Sequence, residues 1–374
     1  MNILIAAKYA TTKSGNFIAS LLELSLQLKD QGHFVYFMFP KAAQERSEWL
    51  PWLKENGFEV ILFDDKQNSK NIFQDLQLYI QQYNINLIHC HFGFCLKELS
   101  LNIHKFPGVK LLIHDHMDYS PDKNIPAQYI KQWLLSLIFR VQGIGVISVM
   151  KKKSAGYWLC KKKQVWFVPN GLSLLRNIER PKTREEMRKQ LGISDDEQLI
   201  LLLGWNMNLK GVDIAIRAVE ELRQINPKVQ LGFLGLGEKP ALYRCEWIKE
   251  KTGIDPLKTP WLRFFPDAED IFACHMAADT YLSASRREAF SYGLLESISQ
   301  NVPTVVSNIP GTSWALAYNK CFSYSVEDPS ECAKALERAL SMRFDESNSD
   351  ELVSRYNIDT WCSDVISIYH KMMK

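Results

Sequence analysis

Short apolar runs alternate along the chain with longer stretches in which apolar residues recur every three or four positions. Runs at 2–6, 34–38, 59–63, 85–90, 109–113, 144–149 and 165–168 read as buried strands. Between the first two, Phe17, Leu21, Leu24 and Leu28 recur at helical spacing, which predicts a helix over 16–31 closed by Gly32. A second series follows, with strands at 198–203, 229–234, 280–282 and 304–307 and helices over 213–224 and 290–300. Strand–helix alternation of this kind builds parallel sheets covered on both faces. The expected architecture is therefore α/β, with two doubly wound lobes, 1–172 and 173–357, and a last helix over about 358–374 that packs back on the first. Pro169-Asn170-Gly171 is the turn at the junction. Two such lobes would face a central cleft at the C-terminal ends of their strands, where open sheets bind ligands.

Composition narrows the class without naming it. The 374 residues are 46% hydrophobic and 23% charged, as in an ordinary globular chain. No apolar run approaches the ~20 residues of a membrane-spanning helix, and the N-terminus opens directly on the strand-like Ile3-Leu4-Ile5-Ala6, which points to a cytoplasmic location. Eight scattered cysteines contain no C-x-x-C pair and read as reduced, buried thiols. Net charge is +3, but residues 1–172 hold 20 Lys+Arg against 13 Asp+Glu, whereas the remainder holds 25 against 29. A basic first half suits an acidic surface, and anionic lipid is the natural one.

Five loops that follow strands could carry chemistry. The first, Thr11 to Asn16 with Gly15, would set backbone N–H groups at a helix start, a place suited to phosphate. In the second, Gly204 to Asp213, Asp213 reads as an N-cap with Lys210 just before it, positioned to neutralise a diphosphate, and Asn206 stands in the same loop. The third, Gly235-Leu236-Gly237, half-matches a dinucleotide fingerprint, but Pro240 stands where its last glycine should be, so it reads as a tight turn.

The fourth is the most distinctive: Glu288-Ala289-Phe290-Ser291-Tyr292-Gly293 running on to Glu296. If fully helical, the two carboxylates would lie ~12 Å apart, beyond the ~5–9.5 Å of an acid/base pair acting on one bond. That spacing suits an extended ligand with a carboxylate at each end and backbone donors between. The fifth comprises His89-Cys90-His91 and His114-Asp115-His116, alternate residues at two strand ends, which read as polar residues lining the cleft rather than as metal ligands.

Taken in order, these segments resemble the family 4 glycosyltransferases, retaining enzymes of the GT-B fold that use nucleotide-diphosphate sugars. Gly15 matches the glycine-containing first loop, His91 and His114-Asp115 the histidine steps, Val168 to Gly171 the interdomain turn, Gly204 to Gly211 the diphosphate loop and Glu288 to Glu296 the signature. The resemblance implies that Lys210 neutralises the diphosphate and that Glu288 contacts hydroxyls of the donor sugar. By the same likeness Phe290, Ser291, Tyr292 and Gly293 contribute backbone donors, Glu296 binds the ribose and His114 lines the reaction site. Trp205 departs from the family, standing where an arginine is common, so Lys210 would carry more of the charge, with Asn206, Asn208 or Arg286 as helpers.

The expected activity is thus a retaining, metal-independent transfer of a sugar from a nucleotide sugar, UDP favoured, with no cofactor: no D-x-D motif stands in a loop. The acceptor is expected to be a saccharide, lipid-linked, in surface polysaccharide synthesis. Trp133, Leu134, Leu137 and Ile138 beside Lys131 and Arg140, with lysine triplets at 151–153 and 161–163, suggest either peripheral attachment to an anionic membrane or a buried helix with solvated lysines. The triplets lack the interleaved aromatics of a nucleic-acid site. A nucleotide-sugar epimerase of the same fold and a degenerate, non-catalytic binding module are the alternatives.

Overall fold

The computed structural model describes residues 1–64, 66–116, 125–150, 159–173, 182–204, 206–268, 270–342 and 350–374, with the side chains of 350–352 excepted. The expected Trp205 and the triplet at 151–153 lie outside the described residues.

The chain divides into two compact units, Met1–Arg176 with Tyr356–Lys374, and Asn177–Arg355. In the first, strands β1 (Asn2–Ala7), β2 (Phe34–Pro40), β3 (Glu59–Phe63), β4 (Leu87–His91), β5 (Lys110–Asp115), β6 (Gly145–Ser148) and β7 (Val165–Phe167) form one sheet in the order β3-β2-β1-β4-β5-β6-β7. Every pairing is parallel. The strands are apolar on both faces because helices cover both, which is why they read as runs rather than as alternations. One face packs against Ile72, Leu76, Leu99 and Phe139. The Gly15–Asp30 helix belongs to this unit and packs beside the Ile358–Met373 helix.

The chain leaves this unit and returns to it at neighbouring points. Leu172 donates its backbone N–H to Tyr356 at 2.7 Å and bridges Asn357. Gly171 explains its own place in the junction triplet: a Cβ there would lie 2.6 Å from Trp361 Cβ.

The second unit holds β8 (Gln198–Leu203), β9 (Val229–Leu234), β10 (Leu262–Phe264), β11 (Thr280–Ser283), β12 (Thr304–Ser307) and β13 (Cys321–Tyr324), in the order β10-β9-β8-β11-β12-β13, again all parallel. β10 and β13 are edge strands of three and four residues that the apolar pattern did not reveal. In each sheet the order reverses beside the first strand, between β1 and β4 and between β8 and β11. These switch points leave crevices at the strand ends, where the adjoining crossovers run to opposite faces. All eight cysteines are free, and seven are buried.

Candidate functional site

At the switch point of the second unit, the loop after β8 meets the loop after β11. Gly211 makes this approach feasible. Its φ is +64°, and a Cβ would fall 2.1 Å from the Ala284 carbonyl oxygen. The helix that follows, Val212–Arg223, is capped by Gly211 and not by Asp213, contrary to expectation; Asp213 sits in its first turn. Asp213 is instead gripped by Arg286, whose two guanidinium N–H groups each lie 2.8 Å from a carboxylate oxygen.

Arg286 has further partners. It donates to Asn208 O at 2.6 Å and to both oxygens of Glu327 at 2.5 and 2.9 Å, and its backbone N–H reaches Leu209 O. The hydrogen bonds it donates to Asp213 and then to Glu327 hold the guanidinium firmly protonated. Burial pushes Asp213 upward, but the bound guanidinium and the backbone N–H groups of Asp213 and Ile214 together outweigh it and keep the carboxyl below its usual range. Arg286 is therefore a brace between loops, with its fork already occupied, and not the diphosphate helper expected of it. No apolar period could have shown this, because it depends on three loops meeting.

The brace fixes the pair that matters. Lys210 Nζ lies 2.6 Å from Glu288 Oε2, with each side chain 15% exposed. An ammonium carries three donors and so can serve a carboxylate and phosphate oxygens together. Asn206 shapes the loop: its side-chain oxygen accepts from Leu209 N at 3.1 Å and its carbonyl from Lys210 N at 2.8 Å. Glu288 is seated on Gly311, where a Cβ would strike the Glu288 carbonyl at 1.8 Å. Sequence reasoning missed Gly311, whose only signal is the pair Pro310-Gly311 after β12.

The helix after this loop spans Tyr292–Ser299, starting two residues later than expected. Ser291 is its N-cap and accepts from Leu294 N, so Tyr292 and Gly293 supply first-turn N–H groups at its positive end. Phe290 precedes the helix and stacks on Trp314, with centroids 4.5 Å apart. Gly293 admits Tyr281, whose hydroxyl would stand 2.6 Å from a Cβ there. Burial raises the Tyr281 phenol, and the fields of Glu296 and Glu288 raise it further, so both carboxylates act on one side chain. Glu296 is 4% exposed, with His275 Nε2 3.5 Å from its Oε2. Lys210, Glu288, the helix start and Glu296 are thus brought together in one unit.

Gly15 and His114 lie in the first unit. Gly15, at φ +54°, opens the Gly15–Asp30 helix beside Tyr9. His114 is the last residue but one of β5, and the β4–β5 register sets it beside His91. His89, His91, His114 and His116 project from one face of these two strands, as alternate residues must. Phe17 caps the group edge-on, 5.2 Å from His91 and 5.5 Å from His116. Burial holds His89 and His116 down to about 3 and His91 and His114 well below the ordinary value, so all four are neutral imidazoles. Phe92, one residue past β4, takes φ +51°, a strained conformation for a bulky side chain.

His89, His91 and His114 bring ring nitrogens within 4.8 Å of one another, a spacing that could take a metal ion. Both nitrogens of His89 are already engaged, one with Tyr369 and one with His114, and His91 Nδ1 is engaged with His116. A metal held by all three would have to break the His89 contacts. The Gly235-Leu236-Gly237 turn has φ of +82° and +81° at its glycines and lies directly after β9.

Residues 183–356 match the family described as glycosyl transferases group 1. The chain is 23% identical over 305 residues to alpha-monoglucosyldiacylglycerol synthase of Streptococcus pneumoniae, covering 78% of this chain and 67% of that one. It is 29% identical over 141 residues to the lipopolysaccharide glucosyltransferase WaaG of Escherichia coli, covering 38% of this chain and 36% of the relative, so that match spans about a third of its length. Among solved structures, Anabaena HepE in complex with UDP and glucose superposes with a TM-score of 0.76 at 16% identity, covering 99% of each chain. The second unit thus resembles the group 1 glycosyl transferases over residues 183–356, and the chain is a glycosyltransferase with the GT-B fold.

Proposed function

We propose that the protein transfers a hexosyl group from a UDP-sugar to a lipid-linked saccharide acceptor, with retention of anomeric configuration and without a metal ion. The observation that carries this reading is the Lys210–Glu288 pair at 2.6 Å, set at a switch point beside the start of the Tyr292–Ser299 helix. A cation, a helix N-terminus and a carboxylate in one place match the three parts of such a donor: Lys210 and the N–H groups of Tyr292 and Gly293 take the diphosphate, Glu288 the sugar hydroxyls and Glu296 the ribose.

As the bond from the anomeric carbon to the phosphate oxygen breaks, negative charge grows on UDP. Lys210 and the helix dipole are fixed in advance to receive it. The acceptor hydroxyl forms the new bond on the face the phosphate leaves, and its proton passes to the departing phosphate. UDP is favoured because HepE was solved with it, and a lipid acceptor because the relatives' names refer to a diacylglycerol and to lipopolysaccharide.

The first unit supports attachment to an anionic membrane. On the Pro126–Gln142 helix, Ile130 is 62% exposed, Trp133 43%, Leu134 48% and Val141 73%, forming one stripe beside exposed Lys131 and Arg140. Ile138 turns inward onto the core instead. Lys161, Lys162 and Lys163 are all exposed. Among the described residues no helix is long and apolar enough to cross a membrane. An apolar stripe flanked by cations is the pattern of a helix lying in the interface.

A thermal-shift series with UDP-, GDP- and ADP-sugars, followed by product analysis with and without acceptor, tests the reading, since a bound donor raises apparent stability by mass action. UDP-sugars should give the largest shift, with a product only when acceptor is present. Conversion of donor alone would make the protein an epimerase, and binding without any product would make it a non-catalytic module. Sedimentation with phosphatidylglycerol vesicles tests the membrane face; binding equal to that on neutral vesicles would remove it.

A further inference from the structure

Three side chains of the first unit form a line of polar contacts through an apolar interior. Tyr369, on the Ile358–Met373 helix, places its hydroxyl 2.6 Å from His89 Nδ1. His89 Nε2 lies 3.2 Å from His114 Nδ1. All three residues are 0–1% exposed. His114 Nε2, at the far end, is buried with no hydrogen-bond partner among the described residues. Tyr369 and His89 stand 280 positions apart in sequence, and no motif linked them.

The protons of this line can be arranged in two ways. Each imidazole is neutral and carries one, because burial disfavours the cation, and burial likewise keeps the Tyr369 phenol protonated. If Tyr369 donates to His89 Nδ1, then His89 Nε2–H donates to His114 Nδ1 and the His114 proton sits on Nε2. In the reverse order His114 donates inward, His89 donates to the phenol oxygen, and the phenol proton needs a second acceptor. The hydroxyl makes no other hydrogen bond among the described residues. The first order leaves one polar group unmet and the second leaves two, so the first prevails.

We propose that Tyr369 is a positioning residue for sugar transfer: through His89 it fixes His114 in the tautomer that carries its proton on Nε2, presenting an N–H donor to an oxygen of the transferred sugar. This rests on the reading that His114 attends the reacting sugar. An unmet buried donor is tolerated where a substrate supplies its partner, and a neutral donor of fixed direction suits an uncharged sugar oxygen.

The test uses the full chain labelled with ¹⁵N-histidine, whose long-range ¹H–¹⁵N spectra report which ring nitrogen carries the proton. His89 and His114 should both be Nε2–H tautomers, and Tyr369→Phe, which keeps the ring and removes the hydroxyl, should turn both into mixtures. UDP affinity should stay unchanged in Tyr369→Phe while kcat/KM with a UDP-sugar falls about tenfold, the worth of one lost hydrogen bond. In a His114→Gln background, where the amide supplies an N–H regardless, Tyr369→Phe should cost nothing further. Should Tyr369→Phe not fold, the pair at His89 decides: His89→Gln, able to accept and donate, should keep transfer, and His89→Leu should lose it.

The proposal is overturned by a His114 proton on Nδ1, by tautomers that Tyr369→Phe leaves unaltered, by the same tenfold loss in the His114→Gln background, or by equal activity of the two His89 variants. A protein that transfers no sugar at all would instead defeat the functional reading, and the tautomer measurement would still stand on its own.

Discussion

The two units end their sheets alike and furnish them oppositely. Beside the switch point of the first stand four neutral imidazoles, of which His89, His91 and His114 are buried and His116 half-buried, with Phe17 edge-on to them. At that of the second stand Lys210, Glu288, Arg286, Asp213 and Glu327, a lattice of full charges. The backbone topology is the same doubly wound order in both, so the contrast arises from side chains alone. Fixed charge suits an anionic ligand, whereas neutral rings can offer oriented donors without a net field. The architecture supplies two addresses, and the loops decide what each one receives.

Several substitutions sharpen or break that contrast. Lys210→Ala should remove the cation from the charged site and lower kcat by about 10²-fold or more, as loss of a preorganised donor does; steady-state kinetics with a UDP-sugar would check it, and unaltered turnover would end the diphosphate assignment. Arg286→Lys keeps the charge but loses the fork that ties Asp213 to Glu327. With two loops untethered, kcat/KM should fall about tenfold, equivalent to about 1.4 kcal/mol, and normal kinetics would show that the brace positions nothing.

The neutral site predicts a pH effect of its own. Its histidines have folded pKa values below the unfolded value of ~6.5, so as pH drops the unfolded chain takes up protons that the folded chain refuses. Stability should be full above pH 6.5 and fall by up to about 1.4 kcal/mol per pH unit for each histidine on the way down to about 3. The first unit should therefore unfold in acid before the second, and hydrogen exchange resolved by unit would reveal the order. Simultaneous loss would contradict the burial of the cluster. The smallest effect is expected at the surface: Trp133→Ser should change the melting temperature little, within about 0.5 kcal/mol, yet weaken binding to anionic vesicles.

The parts legible in the sequence were those with a period. Runs such as Leu199 to Leu203 and Ile3 to Ala6 announced buried parallel strands, and Phe17 to Leu28 announced a helix, because burial on one or two faces leaves a regular trace. The three-residue β10 and the four-residue β13 left none. The segment from Glu288 to Glu296 stood out by its residues, but its seating did not: Gly311 beneath Glu288 and Gly211 against Ala284 are demands of close approach that only the folded chain expresses. Arg286 was misassigned for the same reason, since Asp213 and Glu327 lie 73 and 41 positions away. Tyr369 illustrates the limit most clearly, as its partner lies near the other end of the chain.

The return of Tyr356–Lys374 to the first unit carries a consequence for biosynthesis. As the chain leaves the ribosome, residues 177–355 are contiguous and can mature as soon as they emerge. The older portion must wait, with the flank of the Gly15–Asp30 helix and the ring of His89 uncovered, until the final helix arrives to cover them. The segment made first is finished last, and a nascent chain stalled before residues 356–374 had emerged would display that open flank to chaperones while its younger neighbour was already complete.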